Sequence, residues 1–100
     1  MKSSHDFLDV VTGLASQIRD LHEMAVRECT PVVEAIISSR SRDVRHIEHT
    51  LDSLLSFCDY ETALQLYRRL CRHYWDIDPL ATAQYVHAYR EMWDGEVVEP

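Results

Sequence analysis

Residues able to do chemistry are few here, and their spacing is loose. His46-Ile47-Glu48-His49 sets two imidazoles three apart, with Asp43 a turn earlier, so one helix face could offer ligands to a transition metal. The spacing is not that of H-E-x-x-H, and a zinc site needs a further donor from another helix, so the expectation is a polar helix face with no metal bound. His22 falls inside an apolar arc, where a hydrogen-bonded core histidine is expected. Arg68, Arg69, Arg72 and His73 crowd one stretch, and a guanidinium fork matches a carboxylate or phosphate in bidentate fashion. Arg40, Arg42 and Arg45 could extend that patch. Glu61 precedes Arg68 and Arg69 on the same face, however, and such a run is ordinarily a solvated surface.

Signatures of catalysis are missing. No nucleophile elbow, phosphate-binding loop or glycine-rich dinucleotide loop occurs, and two glycines cannot build the phosphate cradles that cofactor folds need. The expectation is a protein without catalytic activity and without a cofactor. Cys29, Cys58 and Cys71 are odd in number, lack C-x-x-C spacing and sit on or beside apolar stripes, so they read as buried thiols in a reducing compartment. The first residues lack the apolar core of a signal peptide, and no 18-residue apolar run exists to span a bilayer. A soluble, cytoplasmic protein with no membrane partner is expected.

Charge narrows the partners. The formal net charge of -7 opposes wholesale binding to nucleic-acid phosphate. Residues 1–36 hold three basic and six acidic groups (-3), residues 37–73 six and five (+1), and residues 74–100 one and six (-5). A basic island between acidic ends favours association with a second copy or with a partner of mixed charge.

The elements that must carry these groups are helices. Only two glycines and three prolines interrupt the chain, and no alternating β-branched run appears, so the fold class is all-α: a compact bundle of four to five helices, the first long and broken or kinked at Pro31. Residues 1–95 form one domain, followed by an acidic, disordered tail over 96–100. In the first helix, expected from a cap at Ser4 to about Cys29, Phe7, Val11, Leu14, Ile18, Leu21 and Ala25 step as a heptad seam. Leu8, Val10, Ala15, Met24 and Val26 widen it to roughly 200°, against ~100° for a helix lying on one core. That helix expects neighbours on two sides.

After Thr30-Pro31 the helix resumes, and Ser38 to Arg42 forms a loop. A helix from about Arg42 to Phe57 buries Val44, Ile47, Leu51, Leu54 and Cys58. Asp59 caps a helix burying Ala63, Leu64, Tyr67, Leu70, Cys71 and Tyr74 while Gln65, the three arginines and His73 face water. Asp78-Pro79 starts a last helix, with Ala81, Tyr85, Val86, Ala88, Tyr89, Met92 and Trp93 on its apolar arc and Gly95 as its cap. Its aromatic residues read as core against the preceding helix, or as a groove for a partner helix or peptide.

Asp59-Tyr60-Glu61-Thr62-Ala63-Leu64, with Ile77-Asp78-Pro79 and Ala81 to Tyr89, resembles the passage between tetratricopeptide repeats over about a third of the chain. Its Ala63-to-Pro79 interval is about one turn longer than that family uses. No second copy appears, and such repeats need several stacked units, so the chain is not assigned to that family.

The function expected from these residues is a protein-protein interaction module that self-associates or binds another protein. The residues expected at its contacts are Phe7, Val11, Leu14, Ile18, Leu21, Arg68, Arg69, Arg72, Tyr89 and Trp93. The runner-up is an acidic regulator or inhibitor of a nucleic-acid-acting enzyme, of the kind a mobile element carries. A metal-dependent helical enzyme comes third.

Overall fold

Four helices account for the fold: α1 (Ser3–Ser38), α2 (Val44–Leu55), α3 (Glu61–Trp75) and α4 (Pro79–Tyr89), closed by a π-helical turn at Arg90–Asp94. The computed structural model describes residues 3–94 and the side chains of residues 7–93. Among the described residues there is no strand. Ser4, expected as the cap of the first helix, lies within α1, which already starts at Ser3; the cap at Gly95 and the acidic tail fall outside the described residues.

Their unequal lengths shape the molecule. At 1.5 Å rise per residue, the 36 residues of α1 span about 54 Å, whereas the 12 of α2 and 15 of α3 span about 18 and 22 Å. The short helices therefore cover only the C-terminal half of α1. The core consists of Val26, Val33 and Ile36 from α1, Ile47, Leu51 and Leu54 from α2, Cys58, and Ala63, Leu66, Tyr67, Leu70, Cys71 and Tyr74 from α3. Upstream of Val26 the same helix carries no buried side chain among those described. The radius of gyration, 17.2 Å, exceeds the ~13 Å of a compact 100-residue domain because this stalk projects from the bundle.

Pro31 does not break α1. Proline removes only the hydrogen bond to the carbonyl four residues back, and it lies with Arg27 on the exposed side, while Val26 and Val33 anchor the opposite side on both flanks. Thr30 donates its hydroxyl to the Val26 carbonyl at 2.8 Å. α1 ends instead in a Schellman motif: the Ser41 amide donates to the Ile36 carbonyl and the Arg40 amide to that of Ile37.

Other expectations need correction in detail. The N-cap of α3 is Tyr60, without a side-chain cap bond, rather than Asp59. Val44, the first residue of α2, is exposed, whereas Thr50 is buried, its hydroxyl donating to the His46 carbonyl at 2.8 Å. Asp78 does cap α4, accepting from the Ala81 amide at 3.0 Å with Pro79 at the first helical position.

Candidate interaction site

The stalk presents a long run of exposed apolar side chains. Phe7, Leu8, Val10, Val11, Leu14, Ile18, Leu21 and Met24 are all exposed, Phe7 at 65% and Ile18 at 53%. The five seam residues from Phe7 to Leu21 all lie on α1 with no other described part of the chain covering them, whereas the sixth, Ala25, is half-buried. The cover begins at His22, whose ring meets Phe57 edge-on with centroids 5.1 Å apart, and at Glu23, which accepts the Tyr60 hydroxyl at 3.0 Å. His22 is half-buried at the base of the stalk, not a core histidine, because the bundle ends there. A shallow hollow of about 450 Å³, lined by Ile18, Leu21, Met24 and Phe57 among others, marks this junction.

A second feature lies between α3 and α4. Tyr67 meets Tyr89 at 6.2 Å and Tyr74 meets Tyr85 at 6.5 Å, so the helices pair in opposite chain order and run antiparallel. Their hydroxyls lock the packing: Tyr67 donates to the Tyr85 carbonyl at 2.8 Å, Tyr85 to Asp52 at 2.9 Å, and Tyr74 to Glu48. Burial is the main cause that pushes all three phenols upward, with the carboxylates of Glu48 and Asp52 adding to it for Tyr74 and Tyr85. The aromatic side chains thus form the α3–α4 contact, yet α4 leaves a groove of about 800 Å³ beside them. Leu64, Tyr67, Cys71, Thr82, Val86 and Tyr89 form its apolar part, Trp75 stands at its end 55% exposed, and Arg68, Arg72 and Arg90 are its cations. Asp76 is the one carboxylate in that lining.

The basic island is therefore divided. Arg69 leaves the groove and grips Glu34 of α1 through both terminal nitrogens, at 2.8 and 3.1 Å, which holds the Glu34 carboxyl below its usual range and raises the guanidinium in turn. Arg40, Arg42 and Arg45 do not line the groove. His73, expected to face water, instead places Nε2 2.7 Å from the Ser41 carbonyl. The guanidinium groups of Arg68, Arg72 and Arg90 have no hydrogen-bonding or ion-pair partner among the described residues. Trp93 lies apart from the groove, donating its indole hydrogen to the Leu55 carbonyl at 2.6 Å.

No protein family, curated protein or solved structure matches this chain. Its own geometry carries the functional argument. His46 and His49 are both exposed on α2, and among the described residues no three His, Cys, Asp or Glu side chains converge as metal ligands. No helix among the described residues is long and apolar enough to cross a membrane. Burial pushes the thiols of Cys58 and Cys71 up to about 12, so neither supplies a thiolate nucleophile near neutral pH. Trp75, Thr82 and Arg90 were not anticipated at the groove. Trp75 could have been placed from its spacing to Arg72 and Arg68, which lie one turn and two turns before it on the same face.

Proposed function

We propose that this chain is a helical interaction module that self-associates, with the N-terminal half of α1 as its principal contact surface and binding, not catalysis, as its role. The run of exposed apolar side chains from Phe7 to Met24 supports this most strongly. Contiguous apolar surface of that extent is characteristic of interfaces and is unfavourable on a free monomer. Magnitude supports it too. The accessible surface is 7344 Å², roughly 1,400 Å² above the ~5,900 Å² of a compact monomer of this mass. A specific interface typically removes ~800 Å² from each partner, which this excess can supply.

Sedimentation equilibrium at micromolar concentration tests the reading. The wild type should run as a dimer or larger species, and Ile18→Asp should keep its helical circular dichroism yet sediment as a monomer, because Ile18 contributes nothing to the core. A wild type that sediments at 11.7 kDa throughout would overturn the proposal.

A further inference from the structure

The stalk and the α3–α4 groove are both unpartnered apolar surfaces among the described residues, and we infer that they are partners: the stalk of one copy lies in the groove of a second. This rests on the self-association proposed above and specifies its geometry. Three observations favour it over stalk packed on stalk.

The first is the width of the stripe. In the heptad whose a and d positions are Val11, Ile18, Phe7, Leu14 and Leu21, the flanking e and g positions hold Leu8, Ala15, Val10 and Met24, with Gln17 and His22 the polar exceptions and no charged residue among them. Two-stranded coiled coils use charged residues at e and g, and their seam covers a narrow stripe. An arc of roughly 200° needs two walls, and a groove between two antiparallel helices supplies them. The second observation is charge. From Phe7 to Met24 the stalk carries Asp9, Asp20 and Glu23 against Arg19, so two stalks repel, whereas Arg68, Arg72 and Arg90 outnumber Asp76 in the groove. The third is length. The α3 wall from Leu64 to Asp76 spans about 18 Å, and the stalk seam from Phe7 to Leu21 spans about 21 Å. Trp75, half exposed at the end of this wall, is placed to pack on the entering helix as an anchor.

A mixing experiment on full-length chains tests this. Ile18→Asp supplies an intact groove and no usable stalk, while Arg68→Glu with Arg72→Glu supplies an intact stalk and a repelling groove. All three substituted side chains are exposed, and circular dichroism with a thermal melt confirms that each variant is folded. Each variant alone should sediment as a monomer, and the mixture should form a pair containing one of each, because a single stalk–groove contact is restored. In wild type carrying Trp93→Phe, the emission of Trp75 should shift to the blue as concentration drives association. If the groove variant associates as wild type does while Ile18→Asp does not, stalks pack on each other and this geometry is wrong, although self-association stands. A mixture that sediments as the sum of its components also overturns it. A monomeric wild type removes both proposals together.

Discussion

Arg40 holds a φ of 56°, the left-handed region that favours glycine, because the Schellman turn ending α1 requires it. Its side chain is exposed, so nothing is lost by removing it. Arg40→Gly should therefore raise the free energy of unfolding by about 1 kcal/mol, read from the denaturant midpoint, and no change would mean that this turn is unstrained. Residue-level reading of the sequence located the loop from its three serines but not which residue would adopt the unusual backbone. It did better where periodicity speaks directly. Ile47, Leu51, Leu54, Ala63, Tyr67, Leu70 and Tyr74 are buried as their spacing requires. Thr50 and Thr82 carry no apolar signal, yet both are buried, because each hydroxyl is satisfied within one turn by the carbonyl four residues back.

Pro31 shows how a local signal is overruled within an element. Thr-Pro is the pattern of a cap and first helical position, yet Val26, Val33 and Ile36 on one core keep the backbone helical on both sides. The two cases make different predictions. A proline opening a helix is replaced at little cost, whereas one inside a helix removes a hydrogen bond and costs about 3 kcal/mol. Pro31→Ala should raise stability by roughly 1–3 kcal/mol, after allowing for the greater freedom it returns to the unfolded chain. A melting temperature unchanged by the substitution would contradict a continuous α1. The groove, by contrast, was legible only as one of two readings of the aromatic residues. Helix periodicity reported that α3 and α4 each have an apolar arc, but not that α4 leaves the Leu64 to Trp75 side open.

For the molecule as a whole, the buried groups set a limit in alkali. Cys58 and Cys71 move from 9.0 up to about 12 through burial, and Tyr67, Tyr74 and Tyr85 also shift upward, so the folded state holds these protons more tightly than the unfolded chain. The sign follows: this contribution is fully present below pH 9 and is lost as pH rises through about 12. Denaturant midpoints should hold steady up to pH 9 and fall above it, with unfolding reported by thiol labelling of Cys58 and Cys71. A midpoint constant from pH 9 to 12 would show that these groups are not buried together.

The all-α class, the order of the helices, the cap at Asp78 and the excess apolar stripe on α1 follow from the sequence alone, because each depends on spacing within about four residues. Tertiary structure decided which part of the stripe is covered: the bundle helices are too short to reach beyond His22, so the seam from Phe7 to Leu21 stands exposed. It also sorted the arginines, sending Arg69 to Glu34 and leaving Arg68 and Arg72 to meet Arg90 across a groove. Neighbouring residues on one helix point up to 100° apart, so which of them finds a partner depends on where another helix happens to lie.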